Sequence, residues 1–352
     1  MSETTPSHLK ATVAALLRPG KGILAADESF PTIGKRFAAL DIPSTEATRR
    51  AYRELLFTTP QLNQWISGAI LFDETTTQRT DLGESLPGVL TARDIIPGIK
   101  VDGGPIGLPS FPGEKFTSGL DGLRERLLAY RERGIRFAKW RAVITIGDAL
   151  PTSTAIATNA RLLAVYAALS QEAGLVPIVE PEVLMDGNHT LGRCEEVTHA
   201  VLQSVFASLA EHRVMLDVLL LKTGMVLSGK VCPRQAGVGE VAEATLRCLR
   251  QTVPAAVPGV VFLSGGQTDV AATERLNAIC QNNPAPWKLT FSFGRALQDA
   301  AMKTWLGSAS NRTAAQAALR HRARCNSLAV QGTYSATAER EEPEETVKCV
   351  HP

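Results

Sequence analysis

The sequence predicts an α/β fold in which eight parallel strands close into a (β/α)8 barrel. Eight short apolar runs recur along the 352 residues, each ends in polar or glycine residues, and helical patterns separate them. The runs are almost continuously apolar, as expected of strands that are covered on both faces. The predicted strands are 22–27, 68–73, 97–102, 137–144, 175–182, 218–222, 260–264 and 289–292.

The segments between the strands repeat apolar residues at intervals of three and four, which is the period of a helix with one buried face. After the third strand, Leu120, Leu123, Leu127 and Tyr130 follow this spacing, and Gly134 then stops the helix. Further helices are predicted over 154–173, 192–211 and 239–251, and the chain from 293 to about 328 is also helical.

A doubly wound open sheet is the alternative arrangement, since strand count alone does not exclude it. The closed barrel, known as the TIM barrel, is favoured because every candidate strand carries polar residues at its C-terminal end. Active sites of TIM barrels are built at that end of the strands.

Residues 1–332 are predicted to form a single (β/α)8 domain, and residues 333–352 a mobile acidic tail. From Gln331 onward the chain has few apolar residues, two prolines and an acidic cluster at 339–345. Such a composition offers too little apolar surface to fold by burial.

Charge and hydropathy give no sign of a nucleic-acid or membrane partner. The 37 basic and 35 acidic residues leave a net charge of +2, and no apolar stretch reaches the roughly 18 residues of a membrane span. The first residues also lack the basic cluster of a signal peptide. A cytoplasmic protein is the expectation.

The cysteines and histidines do not have the spacing of a metal site or a disulfide framework. The six cysteines are far apart with no CxxC pair, and the six histidines show no HxxH or HxH pattern. We therefore expect reduced thiols, mostly buried, and neither a metal nor another cofactor.

Several predicted strands carry charges, which are costly inside a barrel unless they are paired or functional. Lys222 follows three leucines, and side chains alternate across a strand, so Lys139 shares a face with Arg141, and Glu180 with Glu182.

The same alternation places Lys100 with Asp102, and Asp27 with Ser29. A lone charge of this kind is equally well explained by a salt bridge or by a side chain that reaches out to water. Convergence from five strands instead indicates one site. Glu182, Arg141 and Asp102 are interpreted as ion-pair partners within it.

The two buried lysines indicate the chemistry. A lysine nucleophile must be neutral, and enzymes lower its pKa from about 10.4 to about 7–8 through desolvation and nearby positive charge. The apolar strand around Lys222 and a nearby Lys139 would supply both conditions. An imine on Lys222 then serves as an electron sink for breaking a carbon–carbon bond, with Glu180 and Asp27 as candidates for proton transfer.

Two loops have the character of anion sites. LSGGQ (263–267) and SFGRAL (292–297) follow the seventh and eighth strands, where barrels usually bind phosphate. Their small residues expose backbone N–H groups near a helix N-terminus, and Arg295 adds positive charge. A glycine pair alone is more often a tight turn, but two such loops at this place indicate phosphate binding.

The runs GKGILAADES, GIKVD, FAKWR, VPIVEPE, LLLK, FLSGGQ and FSFGRAL, in this order, closely resemble class I fructose-bisphosphate aldolase over residues 21–334. The resemblance implies a homotetrameric, metal-independent glycolytic lyase. Its substrate would be fructose 1,6-bisphosphate, which it splits reversibly into dihydroxyacetone phosphate and glyceraldehyde 3-phosphate.

The resemblance also implies roles for individual residues. Lys222 matches the imine-forming lysine, Glu180 the proton shuttle, Asp27 the group acting on the C4 hydroxyl, and Lys139 its supporting charge, with Glu182 beside them. The ketone-side phosphate site matches Ser264, Gly265, Gly266, Gly294 and Arg295. The far phosphate region matches Lys100, Ser29, Arg36 and Arg141.

The chain departs from the family pattern at four places. Gly103 stands where a lysine is common, ESFPT replaces the usual small residues after AADES, and Phe293 replaces a common tyrosine. These changes affect the far phosphate contacts rather than the chemistry. The chain also ends in CVHP, without the terminal tyrosine of familiar animal members, so the resemblance implies no catalytic role for the tail.

Three rival functions remain. Another lysine-imine enzyme, such as a transaldolase or a keto-acid aldolase, would use one phosphate site rather than two. A zinc-dependent aldolase would require the histidine spacing that is missing. A barrel that serves only as a binding scaffold would have no reason to keep Lys222, Glu180, Asp27 and Lys139 together.

Overall fold

The computed structural model describes residues 4–283 and 285–341, and eight of its ten strands form a closed parallel barrel. Around the barrel these eight follow the order β1, β10, β9, β8, β7, β6, β3, β2, and β4 and β5 form a separate antiparallel hairpin. This confirms the predicted (β/α)8 TIM barrel and rules out the open doubly wound sheet. In chain order the strands are β1 (Gly22–Ala26), β2 (Ile66–Leu71), β3 (Ile96–Lys100), β4 (Gly104–Gly107), β5 (Lys115–Ser118), β6 (Phe137–Ile144), β7 (Val176–Val183), β8 (Leu220–Thr223), β9 (Gly259–Phe262) and β10 (Lys288–Phe293).

Helices surround the barrel and close its lower end, which is the end at which the parallel strands begin. They are α1 (Thr4–Leu16), α2 (Phe30–Ala38), α3 (Glu46–Phe57), α4 (Leu86–Ala92), α5 (Leu123–Glu132), α6 (Ser153–Glu172), α7 (Leu191–Glu211), α8 (Val238–Thr252), α9 (Asp269–Gln281), α10 (Arg295–Trp305), α11 (Arg312–Val330) and α12 (Ala336–Arg340). No helix within the described residues is long and apolar enough to cross a membrane.

Most of the predicted strand boundaries move by one or two residues. The second strand is Ile66–Leu71 rather than 68–73, the third ends at Lys100 rather than at 102, and the seventh barrel strand ends at Phe262 rather than at 264. The sixth barrel strand begins at Leu220 rather than at 218, because Leu216–Val218 forms a 3-10 turn. The region after 293 is helical as predicted, and it consists of two helices, α10 and α11. Leu306 and Gly307 have φ values of 48° and 75°, a left-handed conformation that ends α10.

The inner face of the barrel is apolar in its lower half. Ile23 and Ala25 of β1, Phe137 of β6 and Ile178 of β7 belong to one buried cluster with Leu9 and other side chains of α1. The alternate residues of the same strands pack against the outer helices instead, in a second and larger cluster. Since side chains alternate along a strand, the inward positions that come next are those of Asp27, Lys139 and Glu180. The ionisable residues therefore lie on the inner face, above the apolar plug.

Bulky rings in the lower half of the barrel require small partners. A Cβ atom on Gly98 would lie 2.2 Å from the ring of Phe137, and one on Gly22 would lie 2.5 Å from the ring of Phe291. Gly98 thus allows the Phe137 ring to fill the barrel interior below the charged residues. Gly22 allows the Phe291 ring to pack on the outer side of the strands, in the cluster that includes the surrounding helices.

The predicted tail is described only as far as residue 341. In that part, α12 lies against α11, with Ala338 buried and Glu339 paired with Arg322. Residues 342–352, which include Cys349 and His351, lie outside the described residues. The mobility of the segment 333–352 stays a prediction.

Candidate active site

A cavity of about 440 Å³ opens at the C-terminal ends of the barrel strands, and nearly all the predicted site residues line it. Gly266 is the exception, because it follows the lining residue Gly265 but does not itself line the cavity. The residues that line it are Asp27, Ser29, Arg36, Lys100, Lys139, Arg141, Glu180, Glu182, Lys222, Ser264, Gly265, Gly294 and Arg295.

Four of these residues form a continuous ionic chain across the barrel. Lys222 Nζ lies 3.1 Å from Glu180 Oε1, and Lys139 Nζ lies 3.3 Å from Glu180 Oε2. Lys139 Nζ also lies 2.7 Å from Asp27 Oδ2. Glu180 therefore stands between two lysines, and Lys139 stands between two carboxylates.

The chain has a defined charge state at Asp27 and Lys139. Burial raises the pKa of Asp27, but Lys139 and Lys222 outweigh this effect and lower it to about 2. Burial lowers the pKa of Lys139, but the carboxylates of Asp27 and Glu180 raise it by a larger amount. The net pKa of Lys139 therefore lies above the ordinary value. At neutral pH Asp27 is thus a carboxylate and Lys139 an ammonium, and Lys139 is poorly suited to act as a nucleophile.

Two buried polar atoms at the cavity wall have no hydrogen-bond partner among the described residues. They are Oε2 of Glu180, whose contact with Lys139 lacks hydrogen-bond geometry, and Oγ of Ser292. Buried polar atoms are normally satisfied, so an orphan pair facing a cavity indicates groups available to a ligand.

The rim of the cavity is held by two further ion pairs. Arg141 pairs with Glu182 across β6 and β7, and Lys100 Nζ lies 2.6 Å from Asp102 Oδ1. Burial lowers the pKa of Arg141, but Glu182 and its hydrogen bond raise it above the ordinary value. Asp102 also accepts a hydrogen bond from the backbone N–H of Arg141. These contacts fit the prediction that Glu182, Arg141 and Asp102 are ion-pair partners.

The loop after β9 has the geometry expected of an anion site. Gly265 and Gly266 have φ values of 57° and 88°, which non-glycine residues rarely adopt. Gly294 precedes α10, whose first residue is Arg295, so the positive end of that helix faces the same region.

Lys230, which the sequence analysis did not select, approaches the same loop. A Cβ atom on Gly266 would lie 3.3 Å from both Lys230 Nζ and Arg295 Nη2, so two cations flank this glycine. Lys230 also pairs with Asp186 at 2.7 Å. The sequence does not single out Lys230, because it lies in the loop between β8 and α8, where a charged residue does not by itself indicate a functional site.

Glu28 is a second residue that the sequence analysis missed. Its buried carboxylate pairs with Arg36 and, at 2.6 Å, with Arg53. Burial raises the pKa of Glu28, but Arg53 and Arg36 lower it below the ordinary value. Arg36 also pairs with Asp299, so its charge is largely compensated within the protein. Strand alternation would place Glu28 on the face opposite Asp27 and Ser29, so the sequence does not single it out, although it lines the same cavity.

Comparisons with known proteins show which proteins this chain resembles. The family described as "Glycolytic: Fructose-bisphosphate aldolase class-I" matches residues 8–350. A probable fructose-bisphosphate aldolase class 1 of Xanthomonas axonopodis pv. citri is 54% identical over 93% of this chain and 98% of its own length. A fructose-bisphosphate aldolase of Dictyostelium discoideum is 49% identical over 95% of each chain.

One solved structure is also similar to this chain in its fold. Fructose-bisphosphate aldolase from Plasmodium falciparum, determined in complex with TRAP and a small-molecule inhibitor, superimposes with a TM-score of 0.94. It is 47% identical and covers 95% of this chain and 97% of its own.

Proposed function

This chain belongs to the class I fructose-bisphosphate aldolase family, and we propose that it cleaves fructose 1,6-bisphosphate reversibly through an imine on Lys222. The products are dihydroxyacetone phosphate and glyceraldehyde 3-phosphate. The observation that carries the proposal is the chain from Lys222 through Glu180 and Lys139 to Asp27. It supplies the amine of Lys222, which pairs with one carboxylate only among the described residues, and the carboxylate of Glu180 beside that amine. It also supplies a second carboxylate, that of Asp27, across the cavity.

The first step is imine formation at the ketone carbon. The neutral amine of Lys222 adds to C2, and the resulting carbinolamine loses water to give a protonated imine. Both stages move protons between nitrogen and oxygen. Glu180 is the group for this transfer, because its Oε1 lies 3.1 Å from the Lys222 amine and its Oε2 has no hydrogen-bond partner within the described part of the chain and can accept a hydrogen bond from the substrate oxygen.

The second step breaks the bond between C3 and C4. Asp27 accepts the proton of the C4 hydroxyl, the C3–C4 bonding electrons move into the iminium, and the aldehyde leaves behind an enamine. A carboxylate with a low pKa suffices here, because the iminium draws off electrons as the proton departs. The ammonium of Lys139 keeps Asp27 anionic and offsets negative charge that develops on the C4 oxygen.

The two phosphate groups of the substrate have different surroundings. On the ketone side we assign Ser264, Gly265, Gly266, Gly294 and Arg295, supported by the helix N-terminus and the left-handed backbone of Gly265 and Gly266. On the far side we assign Lys100, Ser29, Arg36 and Arg141. Three of these are already paired with carboxylates, so the far side offers less uncompensated positive charge.

The environment of the enzyme completes the proposal. We propose a cytoplasmic homotetramer that needs no cofactor and binds neither nucleic acid nor membrane. We also propose that residues 333–352 supply no essential catalytic group. Light scattering of the purified protein measures its oligomeric state, since a tetramer has four times the mass of a single chain.

Borohydride trapping tests the chemistry directly. Dihydroxyacetone phosphate followed by borohydride should inactivate the enzyme irreversibly, and peptide mapping should find the adduct on Lys222. The variant Lys222→Met is the control and should accumulate no adduct while keeping its fold, because Met fills a similar volume without the amine. An adduct on Lys139 or Lys100, with Lys222 unmodified, would contradict the assignment.

Substrate comparison tests the reaction class. Two phosphate sites predict cleavage of fructose 1,6-bisphosphate in preference to monophosphorylated ketoses. An enzyme that transfers three-carbon units between monophosphates, without cleaving the bisphosphate, would instead be a transaldolase.

A further inference from the structure

A cluster of three potential metal ligands lies outside the cavity, where the C-terminal segment meets α11. His321 and Cys325 are four residues apart on α11 and therefore lie on one face of the helix. Glu339 belongs to α12 and faces them. The ligand atoms of all three lie within 4.8 Å of one another, and they are the only such group among residues 4–283 and 285–341.

The spacing of His321 and Cys325 matches a tetrahedral site for a borderline-soft cation, and Glu339 stands somewhat further out. His321 Nε2 lies 3.6 Å from Cys325 Sγ and 3.9 Å from Glu339 Oε1. Bonds of about 2.3 Å from zinc to sulfur and about 2.0 Å to nitrogen place those two atoms roughly 3.5 Å apart in a tetrahedron. Imidazole, thiolate and carboxylate are all donors that zinc accepts.

The surroundings of the cluster orient its carboxylate. The hydroxyl of Tyr334 donates to Glu339 Oε2 at 2.6 Å, and Arg322 binds Oε1. Such outer contacts fix a ligand in position before a metal arrives. The carbonyl oxygen of Ala338 lies 3.6 Å from Cys325 Sγ, and this oxygen or a water is available as the fourth ligand.

We propose that His321, Cys325 and Glu339 bind a zinc-class divalent cation that fastens α12 to α11. On binding, the Cys325 thiol releases its proton to solvent, and the thiolate and the carboxylate together balance the two positive charges. The neighbouring Arg322 opposes a second cation, so we expect weaker binding than at a site with four thiolates. None of the three residues lines the cavity of the proposed aldol chemistry, and the site does not rest on the proposed function.

Cobalt titration of the metal-stripped, full-length protein measures the site. One Co²⁺ per chain should bind with a thiolate-to-cobalt charge-transfer band, and Zn²⁺ should displace it. Cys325→Ser should abolish the band, and Glu339→Gln should weaken binding by more than about tenfold. Tyr334→Phe should weaken it by about tenfold through loss of the orienting contact. Cys280→Ser, which changes a thiol on α9 outside the cluster, should bind as the unchanged chain does.

Hydrogen exchange measures the mechanical consequence. Zinc should slow amide exchange in residues 334–341 of the unchanged chain but not of Cys325→Ser. Circular dichroism establishes that each variant is folded before the comparison. The proposal is overturned by cobalt binding without a thiolate band, or by binding that survives Cys325→Ser and disappears in Cys349→Ser. It is equally overturned if no ion binds at concentrations of roughly 100 μM.

Discussion

Lys222 Nζ lies 3.1 Å from Glu180 Oε1, and both side chains are almost fully buried, with 5% and 4% exposure. They stand on the neighbouring strands β8 and β7, where Glu180 also meets Lys139. A single carboxylate thus contacts both the amine that we propose forms the imine and the ammonium that pairs with Asp27. In the proposed mechanism imine formation lies at one end of the ionic chain and bond cleavage at the other, which makes the two steps separable by mutation.

Asp27→Asn should stop cleavage without stopping imine formation. The amide cannot take the C4 hydroxyl proton, so turnover should fall by about 10²- to 10⁴-fold. Borohydride should still trap dihydroxyacetone phosphate on Lys222, because that step uses Glu180. Loss of trapping in a folded variant would show that Asp27 is needed earlier than we propose.

The depressed pKa of Asp27 also predicts a pH dependence of stability. A carboxylate whose pKa falls from 3.8 when unfolded to about 2 when folded stabilises the protein fully above the unfolded value. The contribution, about 2 kcal/mol, declines as pH falls from about 4 toward 2. The difference in unfolding free energy between the unchanged chain and Asp27→Asn should therefore be flat above pH 5 and shrink below pH 4. A difference that grows on acidification would contradict this sign.

Arg295→Ala should weaken substrate binding on the ketone side. Removing a charge-assisted contact of about 1.5–3 kcal/mol should raise the Michaelis constant for fructose 1,6-bisphosphate about ten- to a hundredfold. Lys230→Ala is the matched comparison, because both cations flank Gly266 but Lys230 is already paired with Asp186. We expect the smaller effect from Lys230→Ala, and an unchanged constant in Arg295→Ala would argue against the assigned phosphate site.

Glu28→Ala should destabilise the fold more than an ordinary surface change. Arg53 is 4% exposed, and loss of Glu28 leaves its charge buried and without its nearest counter-ion. Breaking such a pair costs about 3–5 kcal/mol, whereas an exposed pair contributes about 0–1 kcal/mol. Urea denaturation should show this contrast against Glu172→Ala, which breaks the exposed pair with Arg124. Equal midpoints for the two variants would count against a buried role for Glu28.

Removal of residues 342–352 should leave catalysis nearly intact. The cut follows Glu341, so the pair between Arg322 and Glu339 remains and stability is preserved. We expect cleavage of fructose 1,6-bisphosphate within about threefold of the full chain, since the tail lacks a terminal tyrosine and His351 is not expected to replace it. A loss of about a hundredfold, with imine formation retained, would assign a tail residue to the later proton transfer.

The sequence by itself determined the strands and the direction of their charges. Alternation along a strand is a local property, so the positions of Lys139 and Arg141, or of Glu180 and Glu182, follow from spacing alone. The loops with glycine after the last two strands likewise predict a phosphate region. The seven motifs are sufficient by themselves to indicate the family.

Only the tertiary structure decided which charges meet. Asp27 follows β1 and Lys139 lies on β6, strands that are not neighbours, so their 2.7 Å contact exists only because the barrel closes. The same holds for Glu339 opposite His321 and Cys325, since spacing within one helix cannot supply a ligand from another. Pairing across a fold depends on closure, register and packing of distant segments, which no local pattern in the chain records.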